Sequence, residues 1–490
     1  MTSPLRIAII HYHLRGGGVT RVIQHARTGL PQDLCRVCVL TGEAPPPGSA
    51  DFQRPVVVPA LAYGAEAPGP QLAALLLEAA TARLGGEPDV WHVHNPTLGK
   101  NPRLPAALHR MASQGRRLLL HIHDFPEDGR PALFRDLLHH VGSDDLAQLG
   151  RVLYPQARHV HYALLNRRDH ELLAAAGVPP ERLHLLPDPV LLDRAVPERA
   201  ARADPRHGAR LFLYPTRAIR RKNLGEFLLL SMLAEAGDRF AVTLSPRNPA
   251  QRAGYERWTR TARELGLPVA FEYAARTGDA LPDLLTAASA AVTTSVGEGF
   301  GLAFLEPWTV GCPVAGRDLP ELTRDFRDAG MQLAALYPSL PIPAAWLDHD
   351  GFVGRLRRTR TQLLASYGRS ASERDFAEVL AATGFPDRVD FGRLDEDDQA
   401  RVLQRLAADS ALRDELQAPP LSVPPPDSPA VAANRDVVSR AYSLQSHVHL
   451  LLNAYRRVAE TDPAPSLDGL DVTRLLDFFL APERFFLLKT

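Results

Sequence analysis

The chain has 490 residues, 45% of them apolar and 23% charged, a soluble globular profile with material for roughly two to four domains. Lysine plus arginine and aspartate plus glutamate both total 56, and a formal net charge of zero disfavours broad binding to nucleic acid or to an anionic membrane. Three cysteines argue against a disulfide scaffold, and no apolar run approaches the ~18 residues that span a bilayer, so a cytoplasmic protein is expected.

The start, MTSPLRIAII, reads as a first strand, because its apolar stretch is too short for a signal peptide and runs into His11. Short β-rich runs follow at 36–40, 55–59, 90–94, 118–123 and 157–165, with helical periods between them at 18–30 and 71–85. Alternating strand and helix predicts a parallel sheet covered on both faces. Cys35 and Cys38 form a C-x-x-C inside one strand, where residues i and i+3 point to opposite faces, so they read as buried thiols.

The alternation pauses over a Pro-, Arg- and Ala-rich stretch at 187–210 and then restarts. Strands are expected at 211–216, 241–246, 269–274 and 290–295, with helices at 223–236, 251–266, 281–289 and 302–311. Beyond 330 the pattern loosens into an Arg-rich helix at 351–366, an amphipathic helix at 398–416, a Pro-rich linker at 418–429 and helical stretches at 434–460 and 471–488. The expected division is therefore a Rossmann-like domain at 1–190, a second at 191–330, a helical insertion with the linker at 331–430, and helices at 431–490 that complete the second domain and pack back on the first.

Ligands of open parallel sheets bind beyond the carboxyl ends of the strands. After the first strand stand Gly16, Gly17 and Gly18, which let a ligand approach the start of a helix with its unpaired N–H groups. The loop has neither the dinucleotide fingerprint nor a Walker lysine. After the first strand of the second domain, Arg217 and Lys222 bracket a turn into a helix. The dipole there favours acids, so two cations suit a polyanion such as a diphosphate. Lys222 is one of three lysines, with Lys100 and Lys489, among 53 arginines. After the run at 290–295 comes SVGEGFGLAFLEPW, with Gly297, Gly299 and Gly301 shaping a loop, Glu298 within it and Glu306 inside the following helix. Helical rise places the two carboxylates roughly 10 Å apart, a spacing that would let one hold the sugar and the other the ribose of a nucleotide sugar.

Together the GGGVTR loop, the R-x4-K of Arg217 and Lys222, and the E-x7-E of Glu298 and Glu306 resemble the retaining GT-B glycosyltransferases of family 4. The stretch LLAAAGVPPERLHLLPDPV at 172–190 is similar to the end of that family's first domain. The resemblance implies an α/β fold of two Rossmann-like domains facing across a cleft. It implies a hexose moved from a nucleotide diphosphate sugar, of UDP-glucose or GDP-mannose type, to an acceptor hydroxyl with retention. It assigns Arg217 and Lys222 to the diphosphate, Glu306 to the ribose, and Glu298 to the sugar hydroxyls, with Gly299, Phe300, Gly301 and Leu302 lining the donor. Gly17 and Gly18 would approach the phosphates, and His123 in HIHDFP matches a family histidine near the sugar. No metal and no cofactor beyond the donor substrate is expected, and a small soluble acceptor is favoured over a lipid.

Five H-x-H pairs, at 11/13, 92/94, 121/123, 159/161 and 447/449, support a rival reading. In a strand, i and i+2 share a face with metal-ligand spacing, as in metal-dependent hydrolases. A non-catalytic nucleotide-sugar-binding scaffold is a third reading. The D-x-D triplet at 395–397 reads as a helix start, and that at 348–350 as a surface loop near Trp346.

Overall fold

The computed structural model describes residues 3–46, 52, 54–142, 145–191, 210–416, 421–425, 428–464 and 466–489. Most of the 187–210 stretch and half of the Pro-rich 418–429 run lie outside these residues. The chain forms two units: Met1–Pro189 with Tyr442–Ala481, and Val190–Ala441 with Pro482–Thr490.

In the first unit the strands are β1 (Leu5–His11), β2 (Cys35–Thr41), β3 (Val56–Val57), β4 (Val90–His94), β5 (Leu118–Ile122), β7 (Val160–Leu164) and β8 (Leu183–Leu185). They pair in the order β3-β2-β1-β4-β5-β7-β8, and every pair is parallel. β4, β5 and β7 are buried throughout, as expected of apolar strands covered on both faces. The helix Leu444–Ala459 belongs to this unit. It sets Val448, Leu451, Ala454, Tyr455 and Val458 into a core with Ile7, Ile9 and Val39. A short antiparallel pair, β6 (Pro155–Gln156) with β17 (Asp468–Gly469), ties the returning chain to the same unit.

In the second unit β9 (Leu211–Arg217), β10 (Arg239–Leu244), β11 (Val269–Ala270), β12 (Ala290–Thr293), β13 (Val314–Arg317) and β14 (Leu336–Tyr337) pair in the order β11-β10-β9-β12-β13-β14. Both sheets thus carry the doubly wound order in which the first and fourth strands lie side by side and the chain switches direction. Ligands bind at that switch point.

Several expected elements differ in extent. The run at 269–274 is a strand only over Val269–Ala270 and then turns into a helix at Tyr273–Thr277. The stretch at 434–460 is two helices, Pro429–Ala441 and Leu444–Ala459, the second capped by the Ser443 side chain on the Ser446 amide. β13 and β14 extend the sheet beyond the run at 290–295 because GCPVAGRD hides a four-residue strand between Pro and Gly signals.

Residues beyond 330 build onto the second core. Phe352, Leu356, Val379, Val389, Phe391, Val402, Leu403 and Leu406 join Phe212, Tyr214 and Phe227 in one cluster. An antiparallel pair, β15 (Pro341–Pro343) with β16 (Arg388–Asp390), brings Asp390 to the sheet. There Arg317, 2% exposed, donates Nη1 to Asp390 Oδ2 at 2.9 Å and Nε to Glu226 Oε1 at 2.9 Å. Tyr337 Oη donates to Glu226 Oε1 at 2.8 Å, and Asn223 Nδ2 to Glu226 Oε2 at 2.8 Å. Gln399 Nε2 in turn donates to Asn223 Oδ1 at 2.8 Å. Removing one partner of such a buried set strands the others without water. Arg317→Met is expected to cost about 3–5 kcal/mol in urea unfolding of the intact protein; a loss below about 1 kcal/mol, the scale of a surface pair, would refute the tightness of the network.

Candidate functional site

At the switch point of the second unit two loops meet, one after β9 and one after β12. Thr294 Oγ1 donates to the carbonyls of Lys222 and Asn223, both at 3.0 Å. Tyr214 Oη donates to Lys222 O at 2.9 Å, and the Val296 amide to Arg221 O at 3.0 Å. The stitching presses the RRK turn (Arg220–Lys222) against the Gly297–Glu298 corner. Lys222 Nζ pairs with Glu298 Oε1, and Arg221 Nη1 lies 3.2 Å from Glu298 Oε2. Arg221 also donates to Gly297 O, which accepts Ser295 Oγ at 3.0 Å. Burial pushes the Glu298 carboxyl up, but Lys222 and Arg221 outweigh it and hold the group below its ordinary value. Burial draws Lys222 down against the pull of Glu298.

The other predicted residues are distributed around this pair. Arg217 ends β9 and donates Nη1 to Ser245 O at 3.1 Å, at the loop after β10. Burial and repulsion from Arg247 lower its pKa. Gly299 and the buried Phe300 continue the loop, with the Phe300 ring edge-on to Phe326 at 5.9 Å. Gly301 has φ +95°, a backbone that side-chain-bearing residues rarely adopt. A single turn, Leu302–Phe304, follows, and then a four-residue helix, Glu306–Thr309. Glu306 was expected inside a helix over 302–311; it stands at a helix start instead. Leu305 breaks the turn, and Pro307, lacking an amide hydrogen, fits only a first turn.

In the first unit, Gly17 is extended at φ −178° and caps the helix Gly18–Gly29. A β-carbon at Gly16 or Gly18 would meet nothing within 4 Å, and one at Gly17 only Arg15 O at 3.9 Å. Neither backbone nor packing demands these glycines, which leaves an open approach to the helix start. His123, 7% exposed, follows β5. Its amide and that of Asp124 donate to Asn95 Oδ1 at 2.9 and 3.0 Å. Asn95 itself is left-handed at φ 51°, as asparagine tolerates. Its carbonyl accepts Tyr12 Oη at 3.0 Å.

The H-x-H pairs of β4 and β5 form one ladder. His94 Nδ1 lies 2.9 Å from His123 Nε2, His92 Nε2 lies 3.2 Å from His121 Nδ1, and His92 Nδ1 lies 2.8 Å from Tyr455 Oη. His92, His94 and His121 each offer a nitrogen within 4.8 Å of the others, the spacing of a ligand set. They are 1%, 0% and 0% exposed, however. A hydrolytic metal needs an open position that substrate can reach, and side chains this buried fit a packed, hydrogen-bonded ladder better. The pair 159/161 lies at the opposite end of β7, and 447/449 lies on a helix. Of the D-x-D triplets, Asp395 caps the helix Glu396–Ala408, as expected. The triplet at 348–350 is also a helix start and no loop, because Asp348 accepts the Gly351 amide at 3.2 Å. Cys35 and Cys38 are buried free thiols pushed up to about 11 by burial.

Arg221, Asn223 and Asn95 escaped the sequence reading. The RRK run hinted at the first; asparagine at a junction, after a strand for Asn95 and between a turn and a helix for Asn223, is the signal for the left-handed backbone of the other two.

Residues 16–194 match the model of Glycosyltransferase Family 4. That segment is therefore similar to glycosyltransferase family 4. A mannosylglucosyl-3-phosphoglycerate synthase of Petrotoga mobilis is 28% identical over 234 residues, covering 44% of this chain and 44% of the relative, so the match spans less than half the relative's length. Among solved structures, a sucrose-phosphate synthase from Thermosynechococcus elongatus superposes with TM-score 0.52 at 16% identity over 93% of this chain and 99% of its own. The Anabaena protein Alr3699/HepE, solved with UDP-glucose, gives TM-score 0.51 at 12% identity over 93% of this chain and 98% of its own. A glycosyltransferase from Rickettsia africae gives 0.52 at 11% over 94% and 100%. These likenesses establish the fold as GT-B, two Rossmann-like domains with parallel sheets. Among the described residues no helix is long and apolar enough to cross a membrane.

The ladder makes the first unit acid-sensitive. Burial lowers His92 to about 3 and His123 to about 4, and takes His94 and His121 well below 6.5. As pH falls below about 6.5 the unfolded chain binds protons that the fold refuses, so stability is full above that pH and declines below it. Urea titrations at stepped pH should show this decline, and His121→Leu should reduce its slope by about 1.4 kcal/mol per pH unit; an unchanged slope would mean the ladder is already protonated in the fold.

Proposed function

We infer that the chain is a retaining glycosyltransferase that moves a hexose from a nucleotide diphosphate sugar, of UDP-glucose or GDP-mannose type, to an acceptor hydroxyl. The observation that carries the reading is the junction of the loops after β9 and β12, where Lys222 and Arg221 meet Glu298 beside the Gly299–Gly301 amides. A sheet switch point that offers cations, loop amides and a carboxylate held ionised matches the parts of an activated sugar: diphosphate, then sugar hydroxyls. The UDP-glucose in Alr3699/HepE favours the same donor class.

In this reading Lys222 and Arg217 take the diphosphate charge. Lys222 exchanges part of its attraction to Glu298 for the leaving phosphate, and fixed cations stabilise charge where it develops, without reorganisation. Glu298 accepts from sugar hydroxyls, Glu306 holds the ribose hydroxyls, and the amides of Gly299, Phe300, Gly301 and Leu302 line the donor. Gly17 and Gly18 admit a phosphate to a helix start, and His123 stands near the sugar. Retention follows from attack on the face the phosphate leaves, with that phosphate taking the acceptor proton. The cations do the work a metal would otherwise do, so neither metal nor cofactor is required. The acceptor is a small soluble molecule.

A thermal-shift series with UDP-, GDP-, ADP- and dTDP-sugars should give one base a clear rise, since binding to the native state raises apparent stability; no rise with any would refute the donor site. Lys222→Ala should lower turnover by roughly 10²–10³-fold, the scale of losing one preorganised charge-stabilising group, with little change in melting temperature. Chelator treatment should leave transfer intact. Slow release of nucleoside diphosphate without acceptor distinguishes a transferase from a binding-only scaffold.

A further inference from the structure

The first unit has its own switch point, where β1 and β4 lie side by side, and a lysine stands beside it that the donor reading does not use. Lys100 lies in the loop between β4 and the helix Leu104–Ser113. This loop is tied to the segment around residue 60. Asn101, 0% exposed, donates Nδ2 to Ala60 O at 3.0 Å and to Ala62 O at 3.1 Å. The Gly64 amide donates to Lys100 O at 3.1 Å. Gly99, at φ +77°, turns the chain into Lys100, and a β-carbon there would lie 3.0 Å from the Leu137 side chain. The backbone of Lys100 is thus fixed without any ligand.

The clamp sets the lysine beside an aromatic face. Lys100 Nζ stands 5.9 Å from the centre of the Tyr63 ring, and that ring is 45% exposed. Tyr63 packs on the residues that follow β1, with ring centres 5.3 Å from Tyr12 and 4.9 Å from His13. From there a row of imidazoles leads to His123: His13 to His11 at 5.3 Å, His11 to His94 at 6.3 Å and His94 to His123 at 5.1 Å. Lys100 and His123 therefore flank one switch point. A ring face attracts an ammonium but does not neutralise it. Among the described residues Lys100 Nζ has no ion pair and no hydrogen bond. The two carboxylates that act on Tyr63, Glu43 and Asp124, are engaged by Arg15 and Arg130, each at 2.6 Å. The residue type fits as well, since lysine is rare in a chain with 53 arginines. A compact ammonium serves an anion as a point charge and needs no planar fork.

We propose that Lys100, seated on Tyr63, binds an acidic group, a phosphate or a carboxylate, carried by the acceptor. The proposal rests on the transferase reading given above and narrows its acceptor to an anionic small molecule. A transferase needs a binding surface for its second substrate. In that reading Lys222 and Arg217 of the second unit meet the charge of the donor, and the unneutralised lysine at the switch point of the first unit is left for the other substrate. Because its backbone is already held, Lys100 orders little on binding.

The test is calorimetric titration of the intact protein, saturated with UDP or GDP so that the diphosphate-binding residues are occupied. The probes are glycerol 3-phosphate and glycerate, each against glycerol, and glucose 6-phosphate and glucuronate, each against glucose. An acidic probe should bind about tenfold or more tightly than its neutral parent, and the better of phosphate and carboxylate identifies the acid. Lys100→Gln should weaken that probe by about ten- to a hundredfold, as loss of one charged hydrogen-bonding partner does. It should leave nucleotide affinity and the melting temperature unchanged, and Lys100→Arg should keep more of the affinity than Lys100→Gln. Acidic and neutral probes bound alike, or no acidic probe bound, would overturn the proposal. So would wild-type probe affinity in Lys100→Gln, and in each of these cases intact nucleotide binding leaves the donor reading standing. A loss in Lys100→Gln that comes with weaker nucleotide binding and a lower melting temperature would also overturn it, because the lysine would then be merely structural. Wild-type protein that binds neither nucleotide would overturn both readings.

Discussion

One buried guanidinium organises the second unit. Arg317 is the end of β13, yet it reaches Glu226 on the helix Leu224–Met232 and Asp390 at the end of β16. Desolvating three charges is costly, and a set of this kind persists only where each lone pair and proton finds a partner. Tyr337 and Asn223 supply those partners. The consequence for chemistry is local. Asn223 is left-handed at φ 53° and follows Lys222 directly, so the network sets the angle at which the cationic turn leaves the helix. Burial drives Glu226 up against the pull of Arg317, while Arg317 overcomes burial to hold Asp390 below its ordinary value.

Seen this way, the region beyond residue 330 has a mechanical part to play. Asp390, Phe391 and Gln399 all come from it. Gln399 donates both to Asn223 and to Phe391 O, at 2.8 and 3.0 Å, and Arg220 Nε reaches Glu396 Oε2 at 3.3 Å. The β9–β12 corner is thus braced from behind by residues distant in sequence. In the first unit the imidazoles and the asparagine after β4 share that work with an ion pair, Arg130 Nη2 with Asp124 Oδ1 at 2.6 Å.

Much of this was legible from sequence. Strongly apolar strands such as RIAII, VWHVH and LFLYPT appear where expected, because burial on both faces leaves little choice of residue. Lys222 and Glu298 are brought together in an ion pair that the sequence did not announce, since it pointed each at a different part of the donor. What was not legible depends on contacts between remote segments. Nothing near Arg317 in the chain announces Glu226 or Asp390. The helical stretch at 434–460 has continuous periodicity, and only the Ser443 cap reveals that it is two helices with different allegiances. Arg217 read as the partner of Lys222, and its hydrogen bond to Ser245 O after β10 is a contact that the sequence does not announce. The histidine pairs pointed to shared strand faces, but pattern does not report that they join one buried ladder with Tyr455.

The path of the backbone between units bears on how the molecule is made. Helix Leu444–Ala459 supplies Tyr455 and Val458 to the core that contains Ile7 and Val39, and Phe485 and Leu487 close the core begun by Phe212. During synthesis from the N-terminus, then, neither core can close as its own strands emerge from the ribosome; each waits for a piece encoded far downstream. A translation product ending near residue 430 would carry two open apolar faces, a species prone to aggregation. Interrupted synthesis therefore compromises both units together, with no intact N-terminal half left behind.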